Sequence, residues 1–149
     1  MEINFRVAGL EELQRRIETI KNLERDERIN RAIGRGAARV QAAVKILTPV
    51  DTGNLRNKII VQQSKFMEWV VDTNVEYALY VEFGTGKLGD PAVPHTSKES
   101  WTYYSDELKR FVTTHGQKPA AMFRQGFDQA HKQAFRIIKK EVEEIIRNG

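Results

Sequence analysis

Apolar residues recur at Leu10, Leu13, Ile17, Ile20 and Leu23, the three-and-four spacing of one helical face. Glu11 and Glu12 stand in the first turn, where the helix dipole favours negative charge. A second stripe follows at Ile29, Ile33, Gly36, Val40, Val44 and Leu47, and Asp26 is placed to cap it. Gly34, Gly36, Ala37, Ala38, Ala42 and Ala43 keep this helix shallow, so another backbone can approach it closely. Each glycine costs a helix roughly 1 kcal/mol against alanine, which calls for a packing reason. Pro49 ends the helix by turning Thr48 away from helical geometry. A helical pair over 10–47 results.

The periodicity then shortens. Residues 57–64, with Ile59, Ile60 and Val61 at their centre, and 68–73 read as the two strands of a hairpin. In 77–83, Tyr77, Tyr80 and Val81 share a helical face with Gly84, which predicts a short helix ended by that glycine. Residues 86–100 mix Gly, Pro, Ser and Thr without a period and read as a long loop. Its only aliphatic residues are Leu88, Ala92 and Val93, too few to offset the cost of ordering it, so it is expected to order against a neighbour. A second hairpin is expected from 101–104 and 109–114, turning at Ser105–Asp106. From Pro119, a stripe through Phe123, Phe127, Ala130, Ala134, Ile138, Val142 and Ile145 predicts a long helix over 119–147. Pro119 is placed near its first position, where a missing N–H is harmless. The expected fold is α+β in a single domain over 1–149. It has a small antiparallel β-sheet, two N-terminal helices and a long C-terminal helix, with a turn motif at 48–57 and a sheet region at 58–114.

Composition narrows the class. The 149 residues are 40% hydrophobic and 30% charged, enough for one packed core and unlike a disordered or fibrous chain. No run approaches the roughly 18 apolar residues of a membrane span, and the first six residues lack a secretory pattern. The absence of cysteine excludes disulfides, thiol catalysis and zinc–thiolate sites, and fits a chain made in a reducing cytosol. A net charge of +4 permits contact with phosphates or an acidic partner without requiring either.

Four patterns invite a chemical reading. Gly84-Thr85-Gly86-Lys87-Leu88-Gly89 spells G-x-G-x-x-G, but Asp90-Pro91 and Pro94 follow where a dinucleotide-binding helix would start. A turn-rich loop is the better account. Asp51-Thr52-Gly53 spells the aspartic-protease triplet, and one copy could work only in a homodimer. A helix rather than an apolar strand precedes it, so a turn cap is favoured over a catalytic carboxylate. His95, His115 and His131 stand too far apart to signal a metal site. Arg28, Arg31, Arg35 and Arg39 line one helical face and could meet phosphates of duplex DNA. Glu24 and Glu27, each four residues ahead of an arginine, make a solvated face the simpler reading, and a stripe meeting a neighbouring subunit a third. No catalytic, cofactor-binding or metal-binding residue is assigned, and no enzymatic activity is expected.

Three segments taken together resemble a known family. They are Thr48-Pro49-Val50-Asp51-Thr52-Gly53-Asn54-Leu55-Arg56-Asn57, then Tyr77-Ala78-Leu79-Tyr80-Val81-Glu82-Phe83-Gly84-Thr85-Gly86, and finally Gly116-Gln117-Lys118-Pro119-Ala120 running into Met122-Phe123-Arg124. In this order they are similar to the tail-component (neck) family of long-tailed double-stranded-DNA bacteriophages, the lambdoid gene-ten-like group. Gln125 stands where relatives carry a proline.

The resemblance implies a non-enzymatic virion protein at the head–tail junction, a neck or tail-completion component. It implies assembly into a ring, sixfold by expectation, beside other junction and tail proteins. DNA would pass without specific binding, no cofactor or membrane would be involved, and the chain would be made in a bacterial host's cytoplasm. Pro49, Asp51, Thr52, Gly53, Leu55 and Arg56 would form a structural turn between helix and sheet. The assembly candidates are Gly36, Ala37 and Val40 on the shallow helix, and Tyr80, Glu82, Phe83, Gly84, Thr85 and Gly86 in the aromatic segment.

Overall fold

The computed structural model describes residues 10–50, 53–106 and 108–148. The first stripe forms α1 (Leu10–Asn22), which tightens into a 3-10 turn at Leu23–Arg25 before α2 (Glu27–Leu47). Asp26 caps α2: its carboxylate accepts the Arg28 N–H at 2.8 Å and also holds the Arg28 guanidinium. At the far end Thr48 is extended, and its hydroxyl donates to the Val44 carbonyl at 2.7 Å, closing the helix just ahead of Pro49.

A single-turn helix, α3 (Asn54–Asn57), opens from Gly53, whose φ of 81° is costly for any residue with a Cβ. β1 (Ile59–Lys65) and β2 (Glu68–Thr73) pair antiparallel, with Ile59 opposite Thr73 and Gln63 opposite Trp69. α4 (Ala78–Phe83) stops at Gly84, as its shared helical face predicted. A 3-10 turn at Gly86–Leu88 opens the long loop, and β3 (Trp101–Ser105) pairs with β4 (Arg110–Thr114). α5 (Met122–Asn148) completes the chain's described part.

The α+β arrangement is as expected, but two details differ. The strands form two separate two-stranded sheets rather than one: β1–β2 lies against α2, while β3 and β4 pack chiefly on each other. The long helix begins at Met122, not at Pro119. Ala120 and Ala121 donate their N–H groups to the carbonyls of Val81 (2.8 Å) and Glu82 (3.0 Å), so this stretch is paired with the last turn of α4. Ala121 takes a φ of 48°, and the helix follows it.

The core sits where these elements meet. Val44 of α2, Leu55 of α3, Ile59 of β1, Ala78 of α4 and Met122 of α5 are buried together, with Val40, Val71, Val75, Val81 and Phe123 packed around them. α2 and α5 lie side by side, and small residues let them close. A Cβ on Gly36 would stand 2.7 Å from the Ile138 side chain, and one on Gly126 would stand 2.6 Å from Val44 Cγ2 and 2.9 Å from its backbone. Buried Asn30 locks the other side of α2 to the first hairpin. Its Oδ1 accepts the Met67 N–H at 3.0 Å and the Trp69 Nε1–H at 3.1 Å, while its Nδ2 donates to Gln63.

Candidate assembly surface

The aromatic segment and the chain entering α5 are fastened to each other by one buried carboxylate. Glu82, 4% exposed, accepts the Phe123 N–H at 2.8 Å and the Arg124 N–H at 3.2 Å. These are the second and third N–H groups of α5, the ones an N-cap side chain normally satisfies. Here the cap comes from another element, since Ala121 has no oxygen to offer. Arg124 folds back over the joint. Its Nε donates to Glu82 at 3.0 Å, its Nη1 to Asp90 at 2.7 Å and its Nη2 to the Glu82 carbonyl at 3.1 Å. Its guanidinium also lies 4.8 Å from the Phe83 ring centre, within cation–π range. Asp90 is held below the usual carboxylate range, first by the Ala92 N–H and then by Arg124; Arg124 is pushed up by Asp90 and Glu82.

The glycines of the segment serve close backbone approach. Thr85 and Gln117 exchange N–H···O bonds of 2.9 and 3.2 Å, and a Cβ on Gly84 would stand 2.5 Å from the Gln117 carbonyl oxygen. Gly86 and Gly116 likewise meet face to face. Gly84 to Gly89 is therefore a docking turn, with no helix following it. The base of the long loop is held within the subunit: the Lys87 N–H donates to the Lys98 carbonyl, and the Asp90 N–H to the Phe83 carbonyl.

Of the turn motif, Leu55 is buried in the core and Arg56 donates to the Thr48 carbonyl at 2.9 Å, tying the turn back to the end of α2. Pro49 is exposed. Asp51 and Thr52, with the protease triplet they belong to, lie outside the described residues. Gly36 is covered by α5, and Val40 packs on the core. Ala37 is half-buried beside them. The arginine stripe is engaged inside the chain: Arg28 pairs with Asp26, Arg35 with Glu141, and Arg39 donates to Gln133 at 2.6 Å. Glu141 is held below its usual range by Arg35, and Asp26 by Arg28. The anticipated partner of Arg28, Glu24, gives way to the capping carboxylate.

Three residues central to this geometry carried no assigned role in the sequence. Arg124 stood inside the third segment without a partner, and Asp90 was read only as a helix breaker. Gly126 carried a signal in its position, one turn after Met122 and in line with Ala130 and Ala134 at four-residue spacing.

Exposed Leu79 and Tyr80 on α4 look onto an open groove of about 860 Å³ between α4, the loop and β3. Tyr77, Val93, Pro94, Trp101 and Tyr103 line it, and no Asp, Glu, Lys or Arg does so. Among the described residues, no cluster of three or more His, Asp or Glu could hold a metal ion. No helix among the described residues is long and apolar enough to cross a membrane.

The buried joint of Glu82 and Arg124 thus stands beside an open groove whose lining holds no Asp, Glu, Lys or Arg. Residues 11–84 match the family model described as "Bacteriophage HK97-gp10, putative tail-component". Over this segment, 74 of the 149 residues, the chain is similar to that tail-component family. The match contains the turn motif and most of the aromatic segment; the chain around Arg124 lies beyond it. No curated protein and no solved structure matches the chain.

Proposed function

We propose that this protein is a non-enzymatic neck or tail-completion component at the head–tail junction of a bacteriophage virion, where it assembles into a ring. The family match supports the tail assignment, and the openness of the subunit supports the ring. Its accessible surface is 11,093 Å², whereas a compact monomer of 17.2 kDa presents about 7,800 Å². A standard interface takes about 800 Å² from each partner, so contacts with two neighbours fit the surplus. Two different contact patches on one subunit close into a ring when the rotation closes. The partners would be further copies and other junction and tail proteins, with the chain made in the host cytoplasm and ending in the virion.

Free duplex binding is the weaker reading, because Arg28, Arg35 and Arg39 already have partners within the chain. Sedimentation of the purified protein tests the proposal, with negative-stain images of any large species. A discrete species of several subunit masses and annular outline is expected. A strictly monomeric protein that binds duplex DNA tightly at physiological salt would replace the ring with the DNA-binding reading.

A further inference from the structure

Two unpartnered apolar surfaces of opposite shape stand on the same subunit. The convex one is the stripe of α1: Leu13, Ile17 and Ile20 keep 53%, 42% and 52% of their surface exposed. α1 has 13 residues, a length at which an isolated helix is marginal in water, and its contacts with the rest of the subunit are sparse, made to α5 and to the 3-10 turn that follows it. The concave one is the uncharged groove between α4 and β3, with Leu79 and Tyr80 at 66% and 61% exposure on its edge.

We infer that α1 of one copy lies in the α4–β3 groove of the next, an inference that rests on the ring reading above and names the contact that builds it. Chemistry selects this occupant. The lining holds no Asp, Glu, Lys or Arg, and its polar side chains are those of tyrosines, threonines, Gln117, His95 and Trp101, so it offers a phosphate backbone or a charged peptide few partners. An aliphatic helix face suits it. The stripe from Leu13 to Ile20 is about 10 Å long at the helical rise, and a groove of about 860 Å³ has room for its three side chains. Because donor and acceptor patches differ, the contact is heterologous. It propagates head to tail, which is the requirement for a ring rather than a two-fold dimer. The surplus accessible surface already noted is large enough to contain both halves of the contact.

The contact is tested by complementation. One variant carries Leu13→Glu with Ile17→Glu, the other Leu79→Glu with Tyr80→Glu, each checked for native circular dichroism. Each alone should run at monomer mass, and an equimolar mixture should give a dimer and nothing larger, since only one working contact remains. Assembly of either variant at the wild-type size would overturn the inference, as would a mixture that stays monomeric. The chain has no cysteine, so Ile17→Cys and Tyr80→Cys give a second test that leaves the packing nearly intact. Under mild oxidation the two proteins mixed should cross-link to each other. Cross-linking of each only to itself would show an isologous contact and overturn the proposal. Rings in the wild type with no such cross-link would place the contact elsewhere and leave the ring standing. A wild type that never assembles would remove both.

Discussion

Glu82 is the residue on which two distant segments depend. Its carboxylate serves the start of α5 and Arg124 at once, so removing it strands two helix N–H groups and a guanidinium. Glu82→Ala is expected to cost about 2–4 kcal/mol. Glu82→Gln should cost about half as much, because an amide oxygen still accepts an N–H. Urea denaturation reads both, and equal losses would show that the charge of the carboxylate, not its acceptor oxygens alone, holds the joint. Acid should weaken the fold for a related reason. Asp26, Asp90 and Glu141 all sit below their usual carboxyl range, so the folded state holds fewer protons than the unfolded one in mild acid. Their stabilisation is complete above about pH 4 and drains as pH falls through the lowered folded values. The urea midpoint should therefore decline below about pH 4, and Glu141→Gln should flatten part of that decline. A midpoint that rises in acid would contradict the assigned pairs.

At the scale of elements, α1, α2, both hairpins and α4 were legible because their signals are local: a stripe, a cap, a proline, a glycine at a helix end. The start of α5 was not. Pro119 at a first helical position is a sound local rule, yet residues 120–121 bond to α4 and the cap is supplied by Glu82, some forty residues upstream. Sequence spacing carries no trace of such a partner. The same holds for the split of the strands into two sheets, which depends on what packs between them. The shallow face of α2 was legible as a close contact, but Gly126, which meets it from α5, drew no notice. Backbone proximity separates the two glycines. Gly126→Ala drives its methyl against the backbone of Val44, whereas Gly36→Ala meets chiefly the movable end of Ile138. Gly126→Ala should thus cost more, about 1–3 kcal/mol, and Gly36→Ala less. The reverse order in thermal denaturation would show that α2 and α5 are not packed in this way.

For the whole molecule, the two most specific sequence motifs have structural explanations that their composition did not reveal. Leu55 of the turn motif, Ala78 of the aromatic segment and Met122 beyond it all enter one core, and Gly84 and Gly86 press against the chain around Gly116. The motifs thus describe how one subunit holds itself together. Its outward chemistry lies in the bare stripe of α1, which belongs to no motif, and in Leu79 and Tyr80 of the aromatic segment, beside the groove. A surface this open, with so many aliphatic and aromatic groups in water, is what the proposed assembly would cover. The most direct test of that account is to locate the protein in purified phage particles by gold-labelled antibody and electron microscopy. Label confined to a single position per particle, at the junction of head and tail, is the expected result. Label spread along the tail, or particles that carry none of the protein, would contradict it.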